Sequence, residues 1–285
     1  MFACLALAGC ASSLPDIDPV DNQPQAARIE LSVIGRYTMG YYDIGGSVPA
    51  AYDPPTQTLF VVTVDCGWID SVDLRDPTEP KLKRRELALL FGGFPQSIAL
   101  SNGILAVALS SPLKTLPGKV LFFDTDGNQI GNVVRAGVKP VQIRFTPDGR
   151  KAVVVNQGEA NDSYEIDPKG TITLIDLGID DPNCRGAACD IDPKGRQLDF
   201  DAFNNQKAAL IRAGVRIYGP GASVAQDIEP EAVAIAPDGS RAWVSLQRNN
   251  AMAVIDLETE QIAEIFALEP KDHSTPGAGL DGSVA

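Results

Sequence analysis

Two segments of the chain run nearly in parallel, TPDGRKAVVVN from Thr146 and APDGSRAWVSL from Ala236. Internal repetition constrains architecture more than local propensity does, because like segments fold into like units that must bury their faces against one another. Four copies are found, each an apolar segment, a turn, a second apolar segment, a loop and a third segment ending near an Asp. They span 48–74, 96–124, 141–177 and 232–257, with a variable fourth segment after each.

The turns carry the chemistry of hairpins. Pro147-Asp148-Gly149, Pro237-Asp238-Gly239 and Asn102-Gly103 preset φ or tolerate positive φ. The second segments, LFVVTV, LAVAL and AVVVN, are short, β-branched and apolar on both faces, as in sheets covered above and below. Four-stranded sheets recurring every roughly 40–50 residues are the pattern of propeller blades. Helical signal is scarce; DAFNNQKAALIRAG predicts a short helix over 201–213, with Asp199 or Asp201 as N-cap and Gly214 as stop.

One unit departs from the pattern. From the turn Asp to the Asp closing the third strand, the third unit runs from 148 to 176 and the fourth from 238 to 256, so the third is ten residues longer. The extra length is the acidic loop NQGEANDSYEIDP. In a four-stranded blade, the loop between strands two and three leaves on the same face as the connection to the next blade. That face would gather Glu159, Asp162, Glu165, Glu229, Glu231, Asp272 and His273. Oxygen-rich loops of this kind suit hard cations, and Glu159, Asp162, Glu229, Glu231, Asp272 and His273 are the candidate ligands, for Ca2+ before Mg2+. The competing reading is a solvated acidic loop. Glu229-Pro230-Glu231 also reads as a rigid turn entering the fourth unit.

Other signals reduce to turns. DTDGN, 124–128, lacks the Glu that a calcium loop needs at its twelfth position, where Arg135 stands. GPGASV has no third glycine for a dinucleotide fingerprint. His273, the single histidine, has Asp272 and Ser274 beside it in sequence, an adjacency that rarely builds a catalytic triad.

The N-terminal ten residues, MFACLALAGC, end in a lipobox-like Leu-Ala-Gly-Cys. They predict a shortened lipoprotein signal over 1–10, with Cys10 as the lipidated residue, and a flexible tether over 11–28. Export implies an oxidising compartment, in which Cys184 and Cys189 of NCRGAAC are close enough in sequence to form a disulfide. Lysine and arginine total 24 against 37 acidic residues, a net charge of −13. Such a field repels nucleic acid and anionic membrane surfaces, so membrane contact is expected only through the lipid anchor.

Several passages, among them TPDGRKAVVVNQGEANDSYEIDPKGTITLIDL, AGVRIYGPGASVAQDIEPEAVAIAPDGSRAWVSLQRNNAMAVIDL and KDHSTPGAGLDGS, resemble the choice-of-anchor I domain. The resemblance covers 31–283. It implies an all-β fold, a β-propeller of exported surface proteins with diverse anchors, sometimes linked to alkaline phosphatases. Because that family continues with further blades, the expectation is about four blades, an incomplete part of a seven-bladed ring over 29–285. The strand predicted near 29–37 would complete the last blade of a closed ring.

The functional expectation is a lipid-anchored binding protein with an acidic, divalent-cation-binding face for a surface or small-molecule ligand. The alternative is a metal-dependent phosphoesterase, with carboxylates holding metal and Arg212, Arg216 or Arg248 clamping phosphate.

Overall fold

The computed structural model describes residues 30–39, 49–181, 183–270 and 273–274. The first sheet comprises β1 (Ala50–Asp53), β2 (Thr58–Thr63), β3 (Trp68–Asp73) and β4 (Lys81–Leu87). The second holds β5 (Phe94–Ser101), β6 (Ile104–Ser110), β7 (Pro117–Phe123) and β8 (Gln129–Val138). The third holds β9 (Pro140–Phe145), β10 (Lys151–Asn156), β11 (Thr171–Asp176) and β12 (Lys194–Asp199). The fourth holds β13 (Ala232–Ile235), β14 (Arg241–Leu246), β15 (Ala251–Asp256) and β16 (Gln261–Ala267). In each sheet spatial order equals chain order, so one sequence repeat, with its variable fourth segment, is one antiparallel meander.

The two-faced apolar strands explain how the sheets stack. Along β6, Leu105, Val107 and Leu109 join Phe60 and Val62 in one core, whereas Ile104, Ala106 and Ala108 join Ile143 and Val154 in another. Along β10, Ala152 and Val154 belong to that second core, and Val153 and Val155 to a third with Val233 and Val244. A strand's side chains alternate between faces, so a sheet sandwiched between two others must be apolar at every position. The innermost strands β1, β5, β9 and β13 touch in succession, which arrays the sheets around a common side as propeller blades.

The repeated residues have repeated jobs. Asp148 and Asp238 each accept the backbone N–H two residues on, from Arg150 at 3.1 Å and Ser240 at 3.0 Å, and Gly149 and Gly239 take φ of 71° and 75°. The Asp after or at the end of each third strand opens the next turn the same way. Asp73, Asp124, Asp176 and Asp256 accept from the N–H groups of Arg75, Asp126, Gly178 and Glu258 at 2.9, 2.9, 2.9 and 3.0 Å. Short acidic side chains bond the backbone two residues ahead and so preset turns.

Two expectations need correction. A strand was predicted near 29–37, but none of residues 30–39 is in one; Tyr37 donates its hydroxyl to buried Asp70 at 2.8 Å. The helix over 201–213 is present, but its first half, Asp201–Gln206, is 3-10 and only α1 (Lys207–Ala213) is α-helical. At its start Asp199 Oδ1 accepts from Asp201 N at 3.0 Å, and Gly214, at φ 105°, stops it. A second short helix, α2 (Val224–Asp227), opens with a capping box in which Ser223 and Gln226 bond reciprocally.

Candidate functional site

Every loop on one face of the stack is either a connection between strands two and three or a link to the next blade. Five of these meet beside the third and fourth sheets: the β6–β7 loop with Lys114, the β8–β9 link with Lys139, the β10–β11 loop, the long β12–β13 link and the β14–β15 loop. Most of them line a cavity of about 490 Å3 whose walls include Lys114, Glu159, Tyr164, Arg216, Tyr218 and Arg248.

Gln157 is the hinge of the site. It follows β10, is 4% exposed, and its Nε2 donates to Glu229 Oε2 at 3.1 Å and to Glu231 Oε1 at 3.0 Å. The Glu229-Pro230-Glu231 turn is thereby clamped as a unit against the third sheet. Arg248 approaches the same pair, 2.9 Å from Glu229 and 3.6 Å from Glu231. Glu159 pairs with Lys139 and, at 3.4 Å, with Lys114. Lys114 also reaches Asp162 at 3.2 Å.

Electrostatics separates neighbouring carboxyls. Burial raises Glu229, and the charges of Glu159 and Glu231 push the same way; Arg248 and Lys139 oppose this without cancelling it. Burial also pushes on Glu159, but the Lys139 hydrogen bond and charge, with Lys114, hold it below its ordinary value. Asp167 is raised by burial and then by the Asp227 charge.

The floor is polar and fixed. Asp227 accepts from the backbone N–H groups of Tyr218, at 3.2 Å, and Gly219. Asn249 Nδ2 donates to the carbonyls of Arg216 and Asp227, both at 2.8 Å, while its Oδ1 accepts from Glu229 N at 3.0 Å. One buried amide thus joins the insertion, the entry to the fourth blade and the β14–β15 loop.

Of the residues named from sequence, Glu159, Asp162, Glu229 and Glu231 come together with the basic groups. His273 is exposed beyond β16 and does not line the cavity. Asp272, Cys10, the signal and the tether lie outside the described residues. Arg216 and Arg248 line the cavity, and Arg212, on α1, does not. Among the described residues no three His, Cys, Asp or Glu side chains are grouped closely enough to hold a metal ion. Elsewhere, Cys184 and Cys189 form a disulfide in the β11–β12 loop on the opposite face, and Arg185 between them pairs with buried Asp53 of the first sheet.

Lys114, Lys139, Gln157, Asp227 and Asn249 were not anticipated. The same rule that selected the acidic loop, that loops of two kinds share a face, would have found them had it been applied to polar residues of both signs.

Four radially stacked meanders with a loop-built cavity on one face define a β-propeller domain. The choice-of-anchor I domain model matches residues 49–283, and the chain belongs to that family. No curated protein matches the sequence. Solved structures similar to the chain include a functionally unknown protein from Desulfotomaculum acetoxidans, 10% identical with TM-score 0.50, covering 78% of this chain and 56% of that one. Hydrazine synthase from Kuenenia stuttgartiensis is 15% identical with TM-score 0.49, covering 73% and 51%. The Cps50 (Swd1) β-propeller domain of Myceliophteria thermophila is 14% identical with TM-score 0.48, covering 79% and 56%. The chain spans about half the length of these structures, and the likeness concerns the fold alone.

Proposed function

We propose that the chain is an exported, surface-attached β-propeller, lipid-anchored at Cys10, whose acidic cavity binds a small polar ligand. The observation that carries the binding reading is the cavity itself: loops from three sheets converge on about 490 Å3, the size of small-ligand sites. Its carboxylates are held in place by the chain's own Lys114, Lys139 and Arg248. A divalent cation would have to displace those groups, so an organic ligand fits the arrangement better than a bare Ca2+ ion. Surface attachment is supported by family membership, and among the described residues no helix is long and apolar enough to cross a membrane.

A second reading, phosphoester hydrolysis, is favoured by one observation: Arg216 and Arg248 line the same cavity as Glu159 and Glu229. The two readings separate in one experiment. The chain is incubated with p-nitrophenyl phosphate, with Ca2+, Mg2+ or chelator, and its thermal midpoint is recorded with the same additions. The binding reading predicts no turnover. Hydrolysis that is abolished by chelator and by Glu229→Gln would replace it with the enzymatic one.

A further inference from the structure

Two of the chain's six tyrosines line the cavity, and both are delivered by segments that interrupt the blade pattern. Tyr164 stands in the ten-residue extension of the β10–β11 loop and is 60% exposed; Tyr218 stands in the β12–β13 link and is 79% exposed. Scattered exposed aromatics need no explanation. Two on the walls of one polar cavity, each brought there by an insertion, do.

Each is mounted on fixed backbone. Tyr164 has φ of 57°, a left-handed conformation unusual for a bulky residue. It is imposed by a closed loop: Tyr164 N donates to Asn161 O at 3.0 Å, Asn161 N to Ile166 O at 2.9 Å, and Ile166 N to Asn161 Oδ1 at 3.2 Å. Tyr218 N donates to the Asp227 carboxylate, itself held by Asn249. Backbone strain kept by over-determined hydrogen bonds is concentrated at ligand sites. Around the rings lie planar hydrogen-bonding groups, Asn161, Gln226, Asp167, Asp227 and Arg216. Arg216 makes no ion pair with any described residue.

We propose that this cavity binds a neutral saccharide, its pyranose C–H faces stacking on Tyr164 and Tyr218 while its hydroxyls bond the surrounding carboxylates, amides and Arg216. A sugar has an apolar face and a rim of hydroxyls that both donate and accept. Exposed aromatic rings amid mixed donors and acceptors match both properties. The excess of carboxylates argues against an acidic sugar. This inference rests on the reading of the cavity as a binding site.

Saturation-transfer NMR on the chain with maltose, cellobiose, lactose and chitobiose tests it, with choline and inorganic phosphate as further probes. At least one disaccharide is expected to receive saturation at its ring C–H protons. Its affinity should fall at least tenfold in Tyr164→Ala and Tyr218→Ala and survive in the Phe variants. Tyr164→Gly, which removes the ring and relieves the left-handed strain, should lose binding while keeping or raising the thermal midpoint, so lost binding cannot be ascribed to unfolding. No response to any disaccharide, or binding indifferent to both Ala variants, overturns the saccharide. If phosphate or choline then binds in a manner sensitive to Arg216→Ala or Asp167→Asn, the cavity remains a binding site for another ligand. If no probe responds, the binding reading falls with it.

Discussion

Glu159 and Glu229 share one rim, yet their carboxyl groups are displaced in opposite directions. The difference is one of partners. Two lysines face Glu159, whereas Glu229 is half-buried with two carboxylates near it and one arginine against it. The sign of the consequence follows from linkage. Glu159 is lowered in the folded chain, so its stabilisation is complete above the ordinary glutamate value and is lost as pH falls through the lowered value. Glu229 is raised, so its penalty is complete at neutral pH and is relieved as pH falls through the raised value toward the ordinary one. Urea denaturation of Glu159→Gln and Glu229→Gln across the acidic range should therefore diverge. The deficit of Glu159→Gln, about 1 kcal/mol at neutral pH, shrinks on acidification. The native chain gains on Glu229→Gln over the same range. Parallel profiles would show that the two carboxyls do not feel these neighbours.

Among elements, the third strands of the second and third blades show how a connector is positioned. A Cβ on Gly118, in β7, would sit 2.6 Å from Pro140 Cδ at the entry to the third sheet. A Cβ on Gly170, just before β11, would sit 2.6 Å from Pro230 Cδ at the entry to the fourth. The absent side chain lets each blade meet the segment leading to the next, and at Gly170 that segment carries Glu229 and Glu231. Gly170→Ala should push the turn away from Gln157. The expected result is destabilisation by about 1–3 kcal/mol together with loss of the cavity's ligand response; an unchanged midpoint would contradict the close approach. This feature was legible and easily missed: Gly118 and Gly170 each stand six residues before the turn-forming Asp124 and Asp176. The blades themselves were plain in the sequence because a sandwiched strand is apolar at every position, and PDG turns separate such strands. The site was half legible. Acidic loop residues are conspicuous, but Lys139 and Gln157 are single polar residues at strand ends, and only the register of neighbouring blades brings them to Glu159, Glu229 and Glu231. The segment at 29–37 misled because an apolar run predicts a strand only where a sheet edge accepts it.

Among the described residues, three apolar cores, one between each successive pair of sheets, hold the blades in their array. The proposed binding site lies in the loops that this arrangement brings together. The net charge of −13 is spread over the whole chain, but in the cavity Lys114, Arg216 and Arg248 stand among the more numerous carboxylates, so what the cavity recognises is set by local arrangement as well as by net charge. The third and fourth blades meet at Gln157, through its bonds to Glu229 and Glu231. A double-mutant cycle of Gln157→Ala and Glu231→Ala, 74 residues apart in sequence, measures that meeting by chemical denaturation. A coupling of about 1 kcal/mol is predicted, since contacting residues couple by about 0.5–3 kcal/mol. Additivity within about 0.3 kcal/mol would contradict the Gln157–Glu231 contact and with it the convergence of these two loops beside the cavity.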